Sequence, residues 1–250
     1  MSQQMPEKNR PLSTAERAAA ALHEQEAAER RRRLLIVGAV LAVLVLIGGL
    51  TWFAISRGDT TGGAVDESGV PGGTDGYAVV VGDADAPLTM RFYEDPQCPV
   101  CQQFEAAVGP DVQAAIADGK VKVAYHVVSF LDDASDNEFS SRAANALYVV
   151  ADAAGPEAFA AMHRLIYDNQ PAEGTAGPED DQLVEWAVEA GADEDDVRQP
   201  IEDKVYAQWI ENATDQMSKD GITGTPGVFI DDELQPNPGT AVDAVLKAIG

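Results

Sequence analysis

The tetrapeptide Cys98-Pro99-Val100-Cys101 constrains this chain more than any other stretch, because it holds both of the chain's cysteines. A bridge between them would close so short a loop that it removes little entropy from the unfolded chain, so as a structural staple it is a poor choice. As a reversible dithiol the pair is well placed. Leu88–Tyr93 before it reads as a strand, and Gln102–Val108 after it reads as a helix with Phe104, Ala107 and Val108 on one face. Pro99 suits the first helical turn, where its missing N–H would have no partner anyway. Cys98 then stands at the helix N-terminus, where free N–H groups and the macrodipole favour a thiolate over a thiol.

Metal binding is the competing use of such a pair. A closed zinc site needs about four ligands. Beyond the cysteines the chain offers His23, His126 and His163, with no second CxxC and no HxxxH. Copper(I) accepts two thiolates, so a copper(I)-binding envelope module is the alternative from another class. The redox reading itself calls for no cofactor and no resident metal.

Leu34 to Ile55 carries no charge. At about 1.5 Å per helical residue it is long enough to cross a hydrocarbon core of about 30 Å. Arg30-Arg31-Arg32-Arg33 precede this span and only Arg57 follows it closely, so the positive-inside rule predicts a cytoplasmic N-terminus and an extracytoplasmic C-terminal part. The apolar run is too long for a typical signal-peptide core and no clear A-x-A site follows it, which favours an uncleaved anchor. Residues 1–33 read as a cytoplasmic tail, 34–55 as a transmembrane helix, 56–76 as a Gly/Thr/Ser/Asp-rich flexible linker and 77–250 as one globular domain. A thiol pair outside the cytoplasm can stay oxidised, so location and motif agree.

The chain has 42 acidic against 17 basic residues, a formal net charge of −25. Phosphate backbones and anionic lipid heads are repelled by such a surface, which excludes nucleic-acid binding. The run Asp193-Glu194-Asp195-Asp196 reads as a helix start and solvated surface.

Along the domain, Tyr77–Val81 and Val121–Val128 read as further strands. Helical spacing marks 137–153, 156–168, 181–190 and 193–219, with Trp186, Tyr206, Trp209 and Ile210 facing inward. Val228–Ile230 reads as a strand, Asp231-Asp232 as a turn, Glu233–Gln235 as a short return and Thr240–Ile249 as a closing helix.

The turn Gly82–Pro87, the run Phe92-Tyr93-Glu94-Asp95-Pro96-Gln97 leading into CPVC, the segment Tyr125-His126-Val127 and the distant Gly224-Thr225-Pro226 together resemble the DsbA-like thioredoxin-fold disulfide oxidoreductases of bacterial envelopes. The resemblance covers roughly residues 77–250. It implies an α/β thioredoxin fold with a helical insertion at about 135–220, preceded here by the single transmembrane helix. It also implies an exposed nucleophile at Cys98, a buried resolving thiol at Cys101, Pro99 and Val100 between them, and a cis peptide at Thr225-Pro226 facing the disulfide. Glu105, one turn beyond Cys101, matches an acidic position that influences proton transfer near the buried thiol. The implied activity is disulfide formation in secreted or envelope proteins that carry thiols. A quinone-linked membrane oxidase of the DsbB or vitamin-K-epoxide-reductase (VKOR) type would be the redox partner. A reductase or isomerase with the same dithiol chemistry is the alternative. Two departures stand out: Val100 occupies a position where the best-known oxidases have histidine, and Ala124 stands near the place of a buried lysine, with Lys122 one pleat away.

Overall fold

The structure is a computed structural model that describes residues 71–250. The expected tail, transmembrane span and most of the linker lie outside the described residues. Among the described residues no helix is long and apolar enough to cross a membrane.

Six strands form one sheet: β1 (Thr74–Asp75), β2 (Ala78–Val81), β3 (Leu88–Glu94), β4 (Val121–Val127), β5 (Gly227–Ile230) and β6 (Glu233–Leu234), in the order β1-β2-β4-β3-β5-β6. Only β3 and β4 are parallel; they pair from Leu88 with Val121 to Glu94 with Val127. Between them runs α1 (Pro99–Ala117), so the CxxC sits where the central strand hands over to a helix. β1 lies in the stretch assigned to the linker; its two residues pair with β2 and start the fold a few residues earlier. Gly82 closes the turn after β2 with φ of 116°, and a Cβ there would stand 2.8 Å from the Val121 carbonyl oxygen. Only glycine tolerates both conditions, which explains its place at the head of Gly82–Pro87.

The helical insertion comprises α2 (Phe139–Asp168), α3 (Asp180–Glu189), α4 (Glu194–Glu202) and α5 (Ala207–Lys219); α6 (Pro238–Ile249) closes the chain. The two expected helices, 137–153 and 156–168, are present as the two halves of α2: Gly155 between them has a non-helical backbone, φ of 86° and ψ of −180°. Pro156 then opens the second half, where its missing N–H would have no partner anyway. The expected single helix 193–219 instead divides at 203–206, where Lys204 takes a positive φ of 51°. Asp193 caps α4, its carboxylate accepting from the Asp195 amide at 3.0 Å, so the acidic run is a helix start as expected.

Alternation on β3 decides which side chains meet which layer. Met90 and Phe92 point toward α1, and Phe92 meets Phe104 edge-on at 5.2 Å and Tyr125 at 5.7 Å. Tyr93 faces the other layer with Val128, Ala213, Met217, Ile222 and Phe229. The buried face of α1 runs Cys101, Phe104, Val108, Val112 and Ala115. Ala107, expected on that face, is exposed, because the stripe follows i, i+3, i+4 steps from Cys101 rather than from Phe104 alone. Trp186, Tyr206, Trp209 and Ile210 are buried, as expected.

Candidate active site

Cys98 occupies the N-cap position of α1 with extended backbone, and Pro99 is the first helical residue. The Cys98 carbonyl accepts the Gln102 amide at 3.1 Å, and the Cys98 N–H donates to the Asp95 carbonyl at 3.0 Å. The Cys98 thiol lies 3.4 Å from the Thr225 carbonyl oxygen. Thr225-Pro226 is a cis peptide bond, so the loop expected to face the dithiol does so.

Both cysteines are free thiols. Cys101 is fully buried, as expected. Cys98, expected to be exposed, is only 5 % exposed in this dithiol state. It packs with Cys101, Tyr167 and Leu131, and the Thr225 loop leans on its sulfur. The solvent-facing residue of the motif is Val100.

The two thiols are driven apart in acidity. The Cys98 thiol is lowered to about 6, first by a hydrogen bond from Cys101, with further help from the Thr225 side chain and the Cys101 and Val100 backbone amides, against a burial cost. Those amides are unpaired donors of the first helical turn. Cys101 is raised well above the ordinary thiol value, chiefly by burial and by its donation to Cys98. One sulfur is thus held as thiolate and the other as thiol, which is what stepwise exchange requires.

The segment before the CxxC is tied down by residues that the sequence alone did not single out. The Asp95 carboxylate accepts from the Gln97 amide at 2.7 Å, the Ser140 hydroxyl at 2.7 Å and the Leu131 amide at 2.8 Å. Gln170 donates to the Pro96 and Cys98 carbonyls, both at 3.0 Å, and Gln102 donates to Tyr167 at 2.9 Å. The Tyr167 hydroxyl donates to the Asp95 carbonyl at 3.2 Å. The helical insertion therefore clamps the active-site turn. Replacing Asp95 with Ala leaves the Leu131 amide and Ser140 hydroxyl without their acceptor, so a loss of about 2–4 kcal/mol in unfolding free energy is expected. Urea denaturation of the reduced protein measures it; a change below about 0.5 kcal/mol would refute the clamp.

Glu105 is not an exposed helix glutamate. Its carboxyl is raised to about 8, first by burial and then by the nearby Glu94 carboxylate. Glu94 ends β3 on the α1 side and is likewise raised to about 8, mainly by burial. His163 of α2 completes the group, its Nε2 3.0 Å from Glu94 Oε2. Lys122, one pleat from the expected buried lysine, instead donates to the Ala84 carbonyl at the surface. His126 stacks on Tyr93 at 4.1 Å, on the opposite side of the sheet.

A strand–CxxC–helix turn faced by a cis-proline loop, with one thiol poised as thiolate, defines a thiol–disulfide oxidoreductase. Comparison with known proteins agrees. The family described as Thioredoxin matches residues 74–249. The oxidised crystal structure of DsbA from Mycobacterium tuberculosis is 32% identical with a TM-score of 0.58, covering 69% of this chain and 93% of that one. MdbA, a thiol-disulfide oxidoreductase from Corynebacterium matruchotii, is 27% identical with a TM-score of 0.59, over 68% of this chain and 88% of that one. Among curated proteins, the serine/threonine-protein kinase PknE of Mycobacterium tuberculosis is 35% identical over 119 residues, 46% of this chain but 21% of PknE. The chain thus spans about a fifth of that relative's length. The chain belongs to the thioredoxin family, and within it to the DsbA-type thiol–disulfide oxidoreductases.

Proposed function

We propose that this protein is a membrane-tethered, extracytoplasmic oxidase that introduces disulfides into secreted or envelope proteins. The observation that carries the direction is the thiolate-favouring setting of Cys98. Whatever stabilises the thiolate stabilises the reduced protein, and a stabilised reduced form makes the disulfide a stronger oxidant. In the oxidised enzyme a substrate thiolate attacks Cys98, a mixed disulfide forms, and Cys101 leaves carrying the electron pair and takes up a proton. A second substrate thiolate then attacks the substrate sulfur of the mixed disulfide and expels Cys98. A low-pKa thiol leaves fast, so this step is favoured too. The substrate loses two electrons and two protons and the dithiol gains them. A quinone-linked membrane oxidase of the DsbB or VKOR type would restore the disulfide. The uncharged span 34–55 with arginines on its N-terminal side supports the membrane placement.

The test pairs the oxidised protein with a reduced, unfolded model substrate. Substrate disulfides are expected to form at least about tenfold faster than the reduced protein reduces insulin disulfides under matched conditions. Faster insulin reduction would assign the reductase role instead. Protease added to intact spheroplasts is expected to digest the domain after Arg57; its protection would overturn the placement.

A further inference from the structure

We propose that Glu94, Glu105 and His163 form a buried site for one divalent cation of the zinc type, behind the dithiol and independent of its two sulfurs. Three elements converge there: the end of β3, the second turn of α1 and the second half of α2. One ligand atom from each residue lies within 4.8 Å of the other two. His163 Nε2 stands 3.0 Å from Glu94 Oε2. Zinc bonds to oxygen and nitrogen at about 2.0–2.2 Å, so donors spaced this closely need only a small closing movement to share one ion.

A second observation points to a missing partner. Glu94 is 1 % exposed, yet its Oε1 has no hydrogen-bond partner, and neither has the buried Oε1 of Glu105. Buried polar oxygens are rarely left so. Among the described residues neither carboxyl forms an ion pair with a lysine or arginine; the basic group facing them is His163, whose burial favours the neutral ring. Burial holds both carboxyls toward the protonated state in the metal-free protein, so an entering divalent cation displaces their protons, and two carboxylates with a neutral imidazole then balance its charge. Carboxylate and imidazole donors suit zinc and its first-row neighbours, and differ from the thiolate set that copper(I) selects. Since the site uses no sulfur, it stands whichever way the dithiol runs, and it survives oxidation of Cys98 and Cys101.

Oxidation also supplies the clean test. The full chain, held in the disulfide form so that no thiolate is available, is stripped with a chelator and refolded with zinc or cobalt(II) present, which gives the ion access to a buried site. Dialysis against a competing chelator is expected to leave about one zinc per chain, since three protein ligands define a single site. Glu94→Gln and His163→Gln are each expected to weaken retention at least about a hundredfold. Glu105→Gln, on the helix edge, serves as the third variant should either of the others fail to fold. Bound cobalt is expected to show d–d absorption with no sulfur-to-cobalt charge-transfer band. Failure of the wild-type protein to retain stoichiometric metal would overturn the site and mark the cluster as a proton-sharing carboxyl pair. Retention that survives all three substitutions would overturn it in favour of the acidic surface. Either result would leave the oxidase reading intact, because that reading rests on the thiols.

Discussion

Replacing Cys101 with Ala is expected to trap the protein on its substrates, and replacing Cys98 with Ala is expected to abolish exchange. The asymmetry follows from the geometry. Cys98 carries the lowered pKa and stands at the N-terminus of α1, beside the Thr225 carbonyl. Cys101 is fully buried one turn inside the helix and is held as thiol. In the Cys101→Ala variant the Cys98 thiolate attacks a disulfide of an oxidised substrate and expels one substrate thiolate, and without Cys101 no thiol inside the protein resolves the mixed disulfide so formed. Loss of the nucleophile should cost about a thousandfold or more in exchange rate, as removal of an attacking group does in covalent catalysis. Acid-quenched, non-reducing gels read both outcomes. Alkylation of the reduced wild-type protein near pH 6.5 should mark Cys98 first, because about half or more of it is ionised there while Cys101 is not. Equal, slow labelling at both positions would contradict the assignment.

The second large effect is a pH-dependent gap in stability between the reduced and oxidised proteins. The Cys98 thiol is depressed to about 6 in the folded reduced state, against about 8.5 in an unfolded chain. A depressed acid contributes stability that is fully present above the unfolded value and is lost as pH falls through the folded value. The reduced protein should therefore gain stability relative to the oxidised one from about pH 6 to about pH 8.5. Above that window the raised Cys101 works the other way, since unfolding then releases its proton. The gain is on the order of 2–3 kcal/mol after allowance for solvent screening, or a melting shift on the order of 5–10 °C for a domain of this size. The raised carboxyls Glu94 and Glu105 are present in both redox states, so their own pH dependence largely cancels in the difference. Calorimetry of the two forms across pH 5–9 measures the gap. A difference that does not change with pH would mean that Cys98 is an ordinary thiol.

Local signals made most of the fold legible. Strand alternation, the proline after Cys98 and the distant Thr225-Pro226 each carry a local physical cause, and each lies where the sequence reading put it. The errors came where tertiary contact overrode a local pattern. Glycine-proline did mark a true break, at Gly155-Pro156, but the break at 203–206 inside the expected helix 193–219 carries neither residue at its positive-φ position, Lys204. The two-residue β1 lies in a glycine-rich stretch and exists only because β2 offers it an edge. Cys98 reads as exposed because motif logic places it at a helix tip, but the insertion and the Thr225 loop cover it. The least legible part of the site was its polar support. Asp95, Gln97, Gln170 and Tyr167 hold the CxxC turn from positions up to 75 residues apart in sequence. Glu94 and His163 meet only because a strand end and an inserted helix converge. Periodicity carries no trace of such meetings; the alternation of β3, which places Glu94 on the same side as Phe92 and Glu105, was the one available signal.

The reduction potential of the Cys98/Cys101 pair decides whether this protein makes disulfides or reduces them. Equilibration with glutathione buffers at pH 7, read by the thiolate absorbance or by alkylation, gives it in one experiment. The amides of the first helical turn and the Cys101 thiol stabilise the Cys98 thiolate, while the valine at position 100 supplies no imidazole. The expected value lies between about −270 mV, typical of thioredoxin, and about −120 mV, typical of the strongest oxidants of this type. A potential at or below about −270 mV would contradict the oxidase reading, because the protein would then be poised to reduce disulfides rather than to make them.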